Sequence, residues 1–244
     1  MKAMIIIPAR MASTRLPGKP LADIGGAPMI VRVMERCLAA DVGPVFVACA
    51  ETEIKEAVEQ AGGTAIMTDP DLPSGTDRIR VAADIIDPEK RFDTVINVQG
   101  DLPTLDPGAV VTALDVLKSS EADISTLAVA TTDAREIADP NVVKAVISFD
   151  SKTAGRALYF TRASAPSGDG PVWHHVGLYA YRRAALDAFC ALPPSPLERR
   201  ERLEQLRALE AGMTIAAGII QTSPEGVDTP EDLERARRAF KDMT

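Results

Sequence analysis

Aromatic side chains are scarce in this chain: one Trp, three Tyr and six Phe, or 4% of 244 residues. Few flat surfaces are left on which successive bases could stack. A net charge of −8 adds repulsion from a nucleic-acid backbone, and together these exclude general nucleic-acid binding. Cysteine is scarce too. Cys37, Cys49 and Cys190 are odd in number, widely spaced and free of any C-x-x-C pair. That pattern excludes a disulfide framework and predicts reduced core thiols of a cytosolic protein. The only histidines, His174 and His175, lie far from the cysteines in sequence, so no zinc-ligand spacing is present. Long apolar runs are missing as well. The opening run Met4 to Ile7 stops at Pro8, far short of a membrane span, and no secretory leader is visible. The expectation is a cytoplasmic protein with no membrane partner.

One further absence is local. No Asp or Glu precedes Asp23, whereas Lys2, Arg10, Arg15 and Lys19 all fall in that stretch. A cationic opening in an acidic protein fits either a small polyanionic ligand or a solvated basic loop.

What is present is ordinary for a globular protein, with 46% hydrophobic and 25% charged residues. The length suits one α/β domain able to bury a sizeable core unaided. Strand-like runs at Ala3–Ala9, Pro44–Ala50, Thr64–Met67, Asp93–Gln99 and Ile124–Ala130 alternate with helical patterns. These patterns cover Pro28–Ala40, Thr52–Ala61, Ser74–Ile86 and Asp106–Ser119. The rhythm predicts a doubly wound, mostly parallel sheet with its ligand site beyond the carboxyl ends of the strands. After Thr131 strand-like runs follow one another at Val142–Phe149, Arg156–Phe160 and His175–Tyr181, which predicts added antiparallel strands. A helix capped by Ser195 and Glu198 is expected to run to Ala211, with i,i+4 pairs Glu198–Arg202 and Arg200–Glu204. Thr229-Pro230-Glu231-Asp232 opens the last helix. The whole is read as a single domain, 1–244, with a nucleotide-binding part over 1–131 and a second part over 132–244.

Several segments carry candidate chemistry. IPARMASTRLPGKPL, Ile7 to Leu21, leaves the first strand as a small-residue loop with Arg10, Arg15 and Lys19. Such a loop lets main-chain N–H groups approach phosphate oxygens while three cations neutralise charge. It has neither Walker A nor G-x-G-x-x-G spacing. Asn97-Val98-Gln99-Gly100-Asp101 ends a strand on a carboxylate, suited either to holding Mg²⁺ or to capping the turn before Pro103. Asp228 precedes the last helix, and the pattern alone favours a cap over a metal ligand. Ser74-Gly75-Thr76 opens a helix, either as an anion or base-edge site or as a plain N-cap. Tyr159, Arg162, His175, Tyr179 and Tyr181 form a polar cluster in which His175, Tyr179 and Tyr181 share one strand face.

Taken together these segments resemble the 3-deoxy-manno-octulosonate (Kdo) cytidylyltransferases, also called CMP-Kdo synthetases. The resemblance runs through Ile7–Leu21, SGTDR (Ser74–Arg78), NVQGD (Asn97–Asp101), DPNVVK (Asp139–Lys144), ALYFTRA (Ala157–Ala163), HVGLYAY (His175–Tyr181), Ser195–Arg207 and GVDTPEDL (Gly226–Leu233). It implies a nucleotide-diphosphosugar-transferase-like fold, a homodimer, and transfer of CMP from CTP to Kdo with release of pyrophosphate, for lipopolysaccharide assembly. By that similarity Ala9, Arg10, Arg15, Lys19, Ser74, Gly75, Thr76, Arg78 and Gln99 bind CTP. Asp101 and Asp228 hold Mg²⁺, and these two with Arg10, Arg15 and Lys19 are the catalytic set. Gln99, Arg162, His175, Tyr179, Glu204 and Gln205 line the sugar-acid site, Arg162 facing the substrate carboxylate. The chain departs from the family pattern at Ala50 (Asp), Leu102 (Glu) and His174 (Arg). Other readings are an acceptor such as 8-amino-Kdo or a sialic-acid-like sugar, or an idle nucleotide-binding protein.

Overall fold

The computed structural model describes residues 1–12 and 15–243. Two compact units emerge: Met1–Val111 together with Pro224–Thr244, and Thr112–Ser223. The division falls at 111 rather than 131, and the chain's last segment belongs with its first.

In the first unit β1 (Ala3–Ala9) is buried along almost its whole length, with Ile5, Ile6 and Ile7 at 0% exposure. A single 3-10 turn, Lys19–Leu21, follows Gly18, which takes the left-handed conformation at φ 69. A short hairpin, β2 (Asp23–Ile24) and β3 (Ala27–Pro28), leads into α1 (Met29–Ala39). Pro28 is the residue before this helix rather than part of its first turn. Then come β4 (Val45–Cys49), α2 (Thr52–Gln60), β5 (Ala65–Met67), α3 (Gly75–Ile86), β6 (Thr94–Asn97) and α4 (Pro107–Lys118). The chain passes into the second unit within α4.

The four strands β5-β4-β1-β6 are all parallel. Buried β-branched and aliphatic residues suit such strands, covered on both faces. The chain builds from β1 outward to β4 and β5, then crosses back to place β6 on the other side of β1. The carboxyl ends of β1 and β6 therefore flank a topological switch point. The terminal helix, Pro230–Met243, packs Leu233 and Ala236 with Ile24, Met29 and Val227, and Arg32 lies over the Phe240 ring at 4.3 Å.

The second unit contains β7 (Ile124–Thr131), α5 (Ala134–Ala138), β8 (Lys144–Phe149), β9 (Ala154–Thr161), β10 (Val172–Arg182) and α6 (Arg183–Ala191). It is completed by α7 (Pro196–Glu201), α8 (Leu206–Glu210) and β11 (Ile215–Ile219). Its strands run β10-β7-β11-β9-β8, and β8 also pairs with β10. Only β7 and β11 are parallel. The antiparallel character expected after Thr131 is present; β11, α5 and α6 were not anticipated.

One expected element is broken. The helix from Ser195 does not reach Ala211: it stops at Arg202, which turns left-handed at φ 56, and resumes at Leu206. The break interrupts the helical spacing on which the expected i,i+4 pairs rest. Glu198 completes the capping box with Ser195 and takes Arg207 instead. Leu203 and Leu206, three residues apart, are both buried across this turn.

Candidate active site

A cavity of about 470 Å³ opens at the switch point of the first unit. The end of β1 supplies Pro8, Ala9 and Arg10; the cationic loop supplies Arg15 and Lys19; the residues after β6 supply Gln99, Gly100 and Asp101. The start of α3 adds Ser74, Gly75 and Arg78, and the segment before the terminal helix adds Asp228. Ser13 and Thr14 of the loop lie outside the described residues. Of the expected CTP ligands, Ala9, Arg10, Arg15, Lys19, Ser74, Gly75, Arg78 and Gln99 all line this cavity. Thr76 does not: it is buried in α3 at 4% exposure.

The walls approach closely. A Cβ on Gly100 would lie 2.7 Å from the Pro8 carbonyl oxygen, so only glycine lets the strand end pass here. Ser74 caps α3 by accepting the Asp77 N–H, and its hydroxyl donates back to the Asp77 carboxylate. Ser74 and Gly75 thus bring the N-terminal end of α3, with its helix dipole, to the cavity wall. Arg78 is fastened behind it, donating to the Thr68 hydroxyl and the Asp69 carbonyl. Burial lowers its pKa, against the pull of Glu51.

The cavity's anionic centre is a pair. Val227 N–H donates to the Asp101 carbonyl at 3.0 Å, bringing Asp228 beside Asp101. The Lys19 ammonium lies 2.8 Å from Asp101 Oδ2 and 3.0 Å from Asp228 Oδ1, and Arg15 reaches Asp228 Oδ2 at 3.0 Å. Burial pushes the Lys19 pKa down, but Asp101 and Asp228 outweigh it and the net shift is upward. The capping role that the sequence favoured for Asp228 falls elsewhere. Asp232 accepts the N–H groups of Asp228 and Thr229, and Thr229 Oγ1 accepts the Asp232 N–H. The Asp228 carboxylate is left to the cavity.

Two hard oxygen donors converge on one cation position, a donor set that fits Mg²⁺, which takes one or two carboxylates and completes its shell with water and phosphate. Among the described residues no group of three or more metal-ligating side chains exists. Leu102, where the family carries an acid, is buried at 7% exposure and does not line the cavity.

Arg162, His175, Tyr179, Glu204 and Gln205 belong to the second unit, whereas Gln99 belongs to the first. His175 is buried, its Nε2 2.9 Å from Thr126 Oγ1. That hydroxyl also lies within reach of the Val176 and Leu178 carbonyls. Burial drives the His175 pKa down to about 3. Ring contacts run Phe160–His175–Tyr179–Tyr181, the shared face that the alternation predicts. Burial and then Glu204 push the Tyr179 phenol upward. Gln205 Nε2 is buried with no hydrogen-bond partner among the described residues, an unfilled donor of the kind a polar ligand satisfies.

Arg162 is held from several directions. Its Nε donates to the Glu201 carbonyl at 2.8 Å, Nη1 to the Pro140 carbonyl at 2.9 Å and Nη2 to the Arg202 carbonyl at 3.4 Å. Two residues that sequence reasoning passed over support these sites. Lys144 is fully buried and gives its ammonium to the carbonyls of Asp139, Val142 and Arg162. A lysine set between Val142-Val143 and Ala145-Val146 was the available signal. Glu51 Oε1 accepts the Met11 N–H of the cationic loop, 40 residues away; no sequence pattern marks it.

Comparison with known proteins places these observations. A cytidylyltransferase family profile matches residues 4–215. The 3-deoxy-manno-octulosonate cytidylyltransferase of Parvibaculum lavamentivorans is 62% identical over 237 residues, 97% of this chain and 92% of that protein. That of Rhodospirillum rubrum is 59% identical over 236 residues, 96% of this chain and 94% of that protein. Among solved structures, CMP:2-keto-3-deoxy-manno-octonic acid synthetase complexed with CTP superposes with a TM-score of 0.92 at 40% identity, covering 100% of both chains.

Proposed function

Because the chain belongs to the cytidylyltransferase family, we propose that it transfers CMP from CTP to the anomeric hydroxyl of Kdo, releasing pyrophosphate and supplying lipopolysaccharide assembly. The observation that carries this reading is the meeting of Asp101 and Asp228 on the Lys19 ammonium, inside a cavity that also presents Arg10 and Arg15.

The reaction forms a bond from the acceptor oxygen to the α-phosphorus as the bond from that phosphorus to pyrophosphate breaks. Asp101 and Asp228 would hold Mg²⁺, which when bound supplies neutralisation of phosphate charge. Lys19, Arg10 and Arg15 carry the remaining cationic charge toward the triphosphate and the departing pyrophosphate. Ser74 and Gly75 offer the α3 N-terminus, with Arg78 fixed behind them. Such transfer asks the protein chiefly for positioning and electrostatics, and this cavity is built from short loops on strand ends.

On the acceptor side, Arg162, His175, Tyr179, Glu204 and Gln205 of the second unit would bind the sugar acid. The unfilled Gln205 donor supports a polar ligand there. We read the protein as cytoplasmic and homodimeric. Free, buried Cys37 and Cys49 suit a reducing compartment, and exposed Phe149 and Leu158 on neighbouring strands offer apolar contact surface. Among the described residues no helix is long and apolar enough to cross a membrane.

Pyrophosphate release tests the reading, with CTP, UTP, ATP and GTP offered separately against Kdo, 8-amino-Kdo and a sialic acid. Release is expected with CTP and Kdo and only with Mg²⁺ present. Release with another acceptor alone would move the substrate; CTP binding with no release would favour an idle nucleotide binder.

A further inference from the structure

The Lys19 ammonium sits where the two metal-type carboxylates converge, 2.8 Å from Asp101 and 3.0 Å from Asp228. Resting on the reading that these carboxylates hold the divalent cation, we propose that Lys19 is an exchangeable counter-ion of the metal site. Its ammonium and the metal exclude each other there, and the nucleotide's phosphates draw the ammonium away, so metal entry is coupled to nucleotide binding.

Three observations carry this. The first is proximity. A dication bound by both carboxylates would lie within a few ångströms of an ammonium that hydrogen-bonds to the same groups, and like charges so close repel, more strongly in a half-buried site than in water. Lys19 is the more sheltered partner, with a side chain 16% exposed, against 29% for Asp101 and 47% for Asp228.

The second is the difference in anchoring. Both carboxylates stand on fixed main chain: Val227 N–H holds the Asp101 carbonyl, and Asp232 holds the Asp228 N–H. Lys19 stands on a four-carbon stem at the start of a single 3-10 turn, and the only side-chain hydrogen bonds it makes among the described residues are to these two carboxylates. When a competing cation arrives, the ammonium is the group that moves.

The third is destination. Lys19 lines the same cavity as Arg10 and the α3 N-terminus, so an ammonium leaving the carboxylates still faces the anion-binding wall. Arg15 also pairs with Asp228, but its side chain is 65% exposed. It is screened by solvent and cannot replace Lys19 at Asp101.

Mn²⁺ titration of the full chain, followed by electron paramagnetic resonance of the free ion without nucleotide, tests the proposal. The proteins are wild type, Lys19→Met, Lys19→Arg and the double variant Lys19→Met/Asp101→Asn, at one fixed salt concentration. Lys19→Met is expected to bind Mn²⁺ about tenfold more tightly than wild type, the scale of removing one close opposing charge. Lys19→Arg, which keeps the counter-charge, is expected to stay within about threefold of wild type, and the double variant to bind more weakly than Lys19→Met. Lys19→Gln serves as the neutral variant if the methionine protein does not fold. Unchanged or weaker binding on neutralising Lys19, with the double variant weaker still, would overturn the exchange while leaving the carboxylates as metal ligands. A double variant equal to Lys19→Met would place the ion elsewhere and sink both readings.

Discussion

Glu198 and Arg207 form a two-point ion pair across a break in the chain: the carboxylate takes Nε at 2.8 Å and Nη2 at 2.5 Å. The same carboxylate accepts the Ser195 N–H. Burial would raise its pKa, but Arg207 and the Ser195 N–H hold it low. Both side chains are largely buried, 13% and 9% exposed, and the turn between them carries Glu204 and Gln205. Removing Glu198 takes away the two short contacts of Arg207 and leaves it the longer one to Glu204 at 3.7 Å. Glu198→Ala is expected to lower unfolding free energy by about 3 kcal/mol in urea titration. A loss below about 1 kcal/mol, the ceiling typical of exposed pairs, would mean the pair does not hold the turn.

Asp228 and Asp232 are expected to separate cleanly, because one faces the cavity and the other caps the terminal helix. Asp232→Asn should cost about 1 kcal/mol of stability, as capping losses do, with turnover nearly intact. Asp228→Asn should lower kcat by about a hundredfold, the scale of losing a charge-stabilising group, with a smaller change in unfolding midpoint. Steady-state kinetics and urea unfolding on both proteins check this, and a reversed pattern would return Asp228 to the cap.

Gly100→Ala puts a methyl carbon 2.7 Å from the Pro8 carbonyl oxygen. Main chain must shift to admit it, at a cost of about 2 kcal/mol. Asp101 is the next residue, so the shift lands on the carboxylate pair. Turnover is expected to fall by more than about tenfold, since misplacement of this kind acts directly on positioning. Stability and kcat measured together decide it; unchanged kcat would show that the strand end has slack.

His175 makes stability depend on pH. Its folded pKa is down to about 3 because it is buried, whereas the unfolded value is about 6.5. Between these limits the unfolded chain binds a proton that the folded protein does not, so acid favours unfolding. The contribution is complete above pH about 6.5 and is lost as pH falls toward 3, at about 1.4 kcal/mol per pH unit. His174, also shifted down by burial, acts in the same direction more weakly, with Glu136 opposing. The difference in unfolding free energy between wild type and His175→Phe should shrink by that slope from pH 6.5 to 5. A constant difference would contradict a neutral, buried imidazole.

Much of this was legible beforehand, and the reason differs from residue to residue. Ile5-Ile6-Ile7 closed by Pro8 reads as a buried strand because nothing else explains such a run, and the switch-point rule then puts Arg10, Lys19 and Asp101 together. At Asp228 the local pattern favoured a helix cap, and only the family resemblance pointed to a metal ligand. Asp232 takes the cap, and the Val227–Asp101 hydrogen bond, a contact between segments far apart in the chain, sets Asp228 beside Asp101. The break at Arg202 left no mark because a left-handed arginine has no sequence signature, and Leu203 and Leu206, three residues apart, fit one face of a continuous helix equally well. Ile215–Ile219, an apolar run of strand length, was passed over among the surrounding helices.

Whether this one protein joins CMP to the sugar acid is read from phosphorus NMR of the complete reaction. With CTP, Kdo and Mg²⁺, one new phosphodiester signal is expected to grow in step with an equal amount of pyrophosphate. Both should be absent without Kdo and nearly absent in Asp101→Asn. Pyrophosphate without the phosphodiester, or both signals undiminished in Asp101→Asn, would contradict the proposed transfer.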